Sequence, residues 1–338
     1  MQMKTKTMGS RFRNFLMTCC LVAVGGVAGS LAQAEAAPLQ VGYSDWPGWV
    51  AWQVALDKGW FKEAGVDVSF QWFDYSASLD AFASGKLDAV TATNGDVLVT
   101  GSGGHKGMIV LVNDYSNGND MIIGAPGVTS IKDLKGKKVG VERGLVDHLL
   151  LLNALQAAGM KETDITLVDT KTNETPQVLA SGDVAAIGAW QPSAGQALRQ
   201  VPGSRPIYTS HDAPGLIYDV LAVDPASLKA HPDDWKKVVG VWKRVVAFIE
   251  DPNTQGEALE IMSRRVGLEP ASYKKLLKGT HLLTLEDNQK VYERNDTLAS
   301  IYGSTQNADN FNVKYEVYKA AQNIDTYIDP ALIHELAK

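Results

Sequence analysis

The chain has 338 residues, with 32 Lys+Arg against 38 Asp+Glu and a formal net charge of −6. With 45% apolar and 21% charged residues it is a globular chain long enough for two domains, which excludes a disordered, collagenous or coiled-coil protein. A pI near 5.6, without any long Lys/Arg run, excludes a polybasic nucleic-acid binder.

Lys4, Lys6, Arg11 and Arg13 form a basic start, followed by an apolar or small-residue stretch from Phe15 to Leu31. Ala32-Gln33-Ala34 then offers a small-x-small cleavage site. This is the layout of a secretory signal peptide, and Gly25, Gly26, Gly29 and Ser30 weaken the alternative of a membrane span. Residues 1–34 are expected to be cleaved and the product to be periplasmic. Cleavage removes four cations and no acid, so −6 becomes −10. Both cysteines, Cys19 and Cys20, leave with the signal, so the exported chain has no disulfide, thiolate metal site or cysteine nucleophile.

The rest of the chain states one plan twice. Leu39–Tyr43 alternates as a strand and leads through an aromatic loop into an amphipathic stretch from Val50 to Ala64, broken by Gly65. Val66–Phe70 reads as a strand, Leu79–Ser84 as a helix closed by Gly85, and Leu87–Ala92 as a buried strand. About 97 residues on, Val139-Gly140-Val141, a helix from Asp147 to Ala158, Ile165–Val168, Ala180-Ser181-Gly182 and Val184–Ala189 repeat that order. Met108–Val112, Met121–Gly124 and Ile217–Val223 read as further strands, and the chain is expected to cross between two lobes near 120–126 and 212–222. After Pro225 it turns helical. Asp233 and Asp234 open a helix from Trp235 to Ile249, Thr284–Asp287 forms a capping box for a helix to about Tyr302, and Asp329-Pro330 starts a last one. The expected fold is α/β, two βαβαβ lobes with C-terminal helices on the first: lobe 1 from 35–122 plus 223–338, lobe 2 from 123–222.

Several segments carry a family likeness. They are Val41-Gly42-Tyr43, the run Leu56-Asp57-Lys58-Gly59-Trp60-Phe61-Lys62-Glu63-Ala64-Gly65-Val66, the run Ala83-Ser84-Gly85-Lys86-Leu87-Asp88-Ala89, and Asp133-Leu134-Lys135-Gly136-Lys137-Lys138-Val139. With these the chain resembles the periplasmic solute-binding proteins of ABC importers of the nitrate/sulfonate/taurine type. The resemblance covers residues 39 to about 223 well and the helical tail loosely. It implies a two-lobed type II periplasmic-binding fold, acting as a monomer, that closes on one small solute and docks on a membrane permease and its ATPase. It implies neither catalysis nor a cofactor.

Strand ends in such folds carry the ligand contacts. Here they place Asp45, Trp46 and Trp49 after the first strand, Asp74 after the second and Asn94 after the third. Glu142 and Trp190 stand in the second lobe, and Asp212 near a crossing. Trp faces and carboxylates suit a guanidinium, an amine or a urea-like group. The sulfonate- and nitrate-type relatives generally carry a Gly-Ser or Gly-Thr at the second lobe's first strand–helix turn, where this chain has Gly144-Leu145. That loss of a hydroxyl weakens the alternative of an anionic solute such as taurine, an alkanesulfonate or nitrate.

Other chemistry is thin. Gly101–Lys106 is glycine-rich but lacks the Gly-Lys-Ser/Thr ending of a phosphate loop. Asp114–Asp120 lacks a calcium loop's closing Glu, with Ala125 at position twelve. No His-Glu-x-x-His or Gly-x-Ser-x-Gly occurs, and no metal site is proposed. A small-molecule enzyme on the same fold is the remaining alternative.

Overall fold

The computed structural model describes residues 37–337; the expected signal segment, 1–34, lies outside them. The first sheet takes β1 (Leu39–Tyr43), β2 (Val68–Trp72), β3 (Ala89–Thr93), β4 (Met108–Ser116), β10 (Tyr218–Val223) and β11 (Thr280–Leu282) in the order β11-β4-β10-β3-β1-β2. The second takes β5 (Asp120–Gly124), β6 (Lys138–Val141), β7 (Thr166–Asp169), β8 (Ala186–Trp190) and β9 (Arg205–Thr209) in the order β7-β6-β8-β5-β9.

The internal repeat is visible in this topology. β1 lies parallel between β2 and β3, as β6 lies parallel between β7 and β8. The next strand is antiparallel in both sheets, β10 beside β3 and β5 beside β8. Each parallel pair is joined by a crossover through helix, as parallel strands require. Fully buried strands such as Ala89–Thr93 and Ala186–Trp190 carry continuous small and apolar residues, since helices cover both faces.

The chain passes between the sheets at 117–119 and again at 210–217. β5 is therefore in the second sheet from Asp120 on, and β10 lies wholly in the first, which moves both expected boundaries by a few residues. The two passages are tied together: Ser116 Oγ and Ser210 Oγ are 2.6 Å apart, Gly118 N donates to Ser210 Oγ at 2.7 Å, and the Asn117 amide meets His211 Nδ1 at 2.8 Å.

The helical tail packs on the first sheet. Trp242, on the helix Pro232–Glu250, lies 4.6 Å from Trp52 and donates from Nε1 to Leu283 O at 2.8 Å. Asn288 bonds the backbone of Val112 through both its amide nitrogen and its oxygen. Two expectations for helices are corrected. The stretch from Val50 to Ala64 is three short helices, Pro47–Val50, Trp52–Asp57 and Trp60–Glu63, and the break before the third comes where Gly59 turns left-handed at φ 69°. The helix begun at Thr284 stops after Val291, short of Tyr302. There Asn295 bonds Thr297 locally and Ser300 caps a new helix, Ile301–Lys314, so side-chain turns replace helical bonds.

Candidate functional site

Between the two sheets lies a narrow chamber with a free volume of about 10 Å³, lined by Trp46, Trp49, Tyr75, Thr93, Asp120, Val146, Trp190 and Asp219. The fold brings these together from distant parts of the sequence. Trp46 and Trp49 come from the loop and short helix after β1, and Tyr75 from the first turn of the helix Tyr75–Ala83. Trp190 ends β8 and pairs in register with Asp120, the first residue of β5. Asp219 sits in β10 between Thr93 of β3 and Asp114 of β4. Beside the chamber is a larger vestibule, with a free volume of about 50 Å³, whose walls include Asp45, Asp74, Glu142, Lys171 and Asn173. Tyr75 and Trp190 border both spaces, edge to face with ring centroids 5.1 Å apart.

The aromatic walls are held from behind. Trp46 Nε1 donates to Asp114 Oδ1 at 2.9 Å, and Tyr75 Oη donates to Asp96 Oδ2 at 2.6 Å while accepting from Thr93 N at 3.1 Å. Trp49 stacks on Tyr75 at 5.2 Å and 24°. Gly48 permits the close approach of this loop to β4, because a Cβ there would run into the Asp114 carboxylate. Each of the four rings is at most 4% exposed, so their positions are fixed by packing.

The acids define the electrostatics. None of the ion pairs among the described residues involves Asp114, Asp120, Asp147 or Asp219. Oδ2 of Asp114, Asp120 and Asp219 and Oδ1 of Asp147 are buried among the described residues without a hydrogen-bond donor. Burial disfavours the charged form. It pushes Asp120 up to about 7, Asp96 up to about 7 and Asp45 up to about 6. Asp114 and Asp219 face each other across β4 and β10; burial raises both, and their mutual repulsion raises Asp219 further, so the pair holds a proton between them. Asp147 is raised by burial and then by Asp120.

The helix Val146–Ala157 completes the picture. A helix N-terminus is an anion site by default. Here the Val146 amide already favours the Asp96 carboxylate, secondary to burial, and Asp147 occupies the first turn. Leu145 at the N-cap offers no side-chain acceptor or donor.

Of the residues singled out from sequence, Trp46, Trp49 and Trp190 line the chamber, and Asp45, Asp74 and Glu142 line the vestibule. Asp74 is exposed on the rim, and its side chain does not cap the helix it precedes. Glu142 accepts from Thr172 N and Oγ1 at 3.3 and 3.4 Å, while Arg143 points outward, 3.9 Å from Glu162. Two expectations are corrected. Asn94 lines neither space: its amide donates to Ser304 Oγ and Thr305 Oγ1 and accepts from Tyr218 N, fastening β10 to the tail. Asp212 is an exposed cap that accepts from Thr209 N at 2.8 Å beside the second passage. Sequence reasoning missed Asp120 and Asp219. The first hides in a polar turn, Asn117-Gly118-Asn119; the second left a signal, an acid inside an otherwise apolar strand.

A model of the NMT1/THI5 like family matches residues 46–254, more than half of the chain. The chain belongs to the NMT1/THI5 like family. A putative binding protein of Brucella abortus (strain 2308) is 33% identical over 176 residues, 52% of this chain and 54% of that protein. The chain thus spans about half the length of the curated relatives it matches. Among solved structures, the periplasmic aliphatic sulphonate binding protein SsuA from Escherichia coli superimposes with a TM-score of 0.72 at 19% identity, covering 89% of this chain and 100% of that one. The periplasmic nitrate-binding protein NrtA from Synechocystis PCC 6803 gives 0.68 at 12% identity, covering 90% and 89%. At such identities the likeness establishes the fold: this NMT1/THI5 like chain has the two-lobed periplasmic-binding architecture expected from its repeat. No helix among the described residues is long and apolar enough to cross a membrane.

Proposed function

We propose that this protein is the periplasmic solute-binding receptor of an ABC importer, and that it closes its two lobes on a small nitrogen-containing solute, cationic rather than anionic. The observation that carries this is the chamber itself: four aromatic rings and two buried carboxylates, Asp120 and Asp219, with no ion pair to neutralise them. A cation over an aromatic face contributes roughly 0.5–2 kcal/mol. A charged hydrogen bond adds about 1.5–3 kcal/mol. A few such contacts reach the roughly 8 kcal/mol of micromolar binding after the cost of closure. Contacts made to both lobes only when closed shift the open–closed population. The closed form then docks on the permease, and an attached ATPase drives release. Family membership and the fold shared with sulfonate- and nitrate-binding proteins support the receptor role; catalysis plays no part in it.

The rival reading, an anionic solute, takes its support from those neighbours and would need a cation facing the chamber. Arg143, the candidate the sequence offers, points away from it toward Glu162. Thermal-shift measurements separate the two readings. Guanidinium or methylammonium at a hundred times its Kd is expected to stabilise the protein by about 2.7 kcal/mol, roughly 5 °C in midpoint. Stabilisation by taurine or nitrate with no response to either cation would overturn the proposal, and so would turnover of any of these compounds.

A further inference from the structure

Aromatic boxes suit cations of two kinds, quaternary ammonium ions that bear only C–H and flat ions that bear N–H. Resting on the cation reading above, we propose that the chamber selects a flat, N–H-bearing cation of the guanidinium type and rejects quaternary ammonium. The argument starts from oxygen atoms that lack donors. Asp120 Oδ2 and Asp219 Oδ2 are buried at the chamber without a hydrogen-bond donor among the described residues. The proton held between Asp114 and Asp219 serves that pair; Asp120 has a Ser116 hydrogen bond, but its Oδ2 has none. A quaternary ammonium would neutralise charge yet leave Asp120 Oδ2 dry and unpaired, the most unfavourable state for a buried acceptor. A guanidinium carries N–H groups around its whole edge, enough to meet Asp120 on β5 and Asp219 on β10 together.

Trp49 and Tyr75 stack on each other at 5.2 Å and 24°, and Trp190 stands edge to face with Tyr75 at 86°, so the aromatic wall is rigid. The chamber's free volume is only about 10 Å³, about the room of one water, so it favours a compact occupant over a long side chain. An amino acid seated in the chamber fits poorly on charge as well, since its carboxylate would meet Asp120 and Asp219 with no cation lining that space.

The test compares three probes by titration calorimetry on the purified chain at pH 8: guanidinium chloride, tetramethylammonium chloride and urea. Tetramethylammonium shares the charge of guanidinium without its donors; urea shares its shape without its charge. Guanidinium is expected to bind at least tenfold more tightly than either. Asp120→Asn is expected to weaken guanidinium at least tenfold while urea changes little, and Asp219→Asn serves as the second variant should the first fail to fold. Tetramethylammonium binding as tightly as guanidinium would overturn this inference and leave the cation receptor standing. Urea binding as tightly would overturn both, because charge would then play no part. Binding of taurine or nitrate, run alongside, with none of the three probes would overturn the cation reading on which the inference rests.

Discussion

Asp120→Asn should make the empty protein more stable at pH 8, less so at pH 5.5, and no more stable near pH 3.5. The wild-type carboxyl rises from 3.8 to about 7 on folding because it is buried without an ion-pair partner, an effect that a Ser116 hydrogen bond offsets only in part. The folded state therefore holds a proton that the unfolded state has released, and stability falls as pH climbs from about 4 to about 7. Three pKa steps at 1.36 kcal/mol each give a ceiling of about 4 kcal/mol. Relaxation and water entry cut this to about 2 kcal/mol. Asparagine has the same shape and no charge, so it escapes the penalty. At about 2 °C per kcal/mol for a chain of this size, scanning calorimetry should show a midpoint about 4 °C above wild type at pH 8. Near pH 3.5, below both pKa values, the acid is neutral folded and unfolded alike and the gap should close. An equal shift at both extremes of pH, or a loss at pH 8, would refute the claim that Asp120 is a buried, unpaired acid. The same variant is expected to lose guanidinium affinity, so stability and binding move in opposite directions.

Guanidinium affinity should itself depend on pH. Binding needs Asp120 ionised, so below about 7 protonation competes and affinity falls up to tenfold per pH unit for one linked proton. Calorimetry in buffers of different ionisation enthalpy should register that proton leaving at pH 6.5; binding without proton release would count against the site. Asn94→Ala breaks three buried hydrogen bonds and should cost about 2–3 kcal/mol of stability with affinity unchanged. Asp212→Ala should cost about 1 kcal/mol through its lost cap and likewise leave affinity alone; a large loss of binding in either variant would return that residue to the site.

Much of this molecule is legible in its sequence, for identifiable reasons. The repeated helix-Ser-Gly-strand junctions at 83–89 and 180–186 reflect local turn chemistry, and the two sheets reproduce their shared plan. Trp46, Trp49 and Trp190 stand immediately after or at the end of strands, where topology alone puts side chains at the cleft. Asp120 and Asp219 escaped because their role depends on register: only the pairing of Asp120 with Trp190, and of Asp219 with both Thr93 and Asp114, carries them to the chamber. Asn94 misled because it also follows a strand, yet its side chain turns away toward Ser304 and Thr305, residues far along the chain. The break in the tail after Val291 was hidden for a related reason. Helical periodicity runs through it, while Asn295 and Ser300 end one helix and start another by local hydrogen bonds.

The central claim, that two lobes close over a small cation, is open to a direct distance measurement. Both cysteines of the chain lie at 19 and 20, so a form lacking residues 1–34 accepts two new ones without interference. Ala77→Cys and Glu174→Cys put labels on exposed positions next in the chain to Ser76 and Asn173, which line the vestibule from the two lobes. Pulsed spin-label spectroscopy should give one short distance with saturating guanidinium, and a longer, broader distribution without it. A single distribution that neither guanidinium nor any other solute alters would contradict the account.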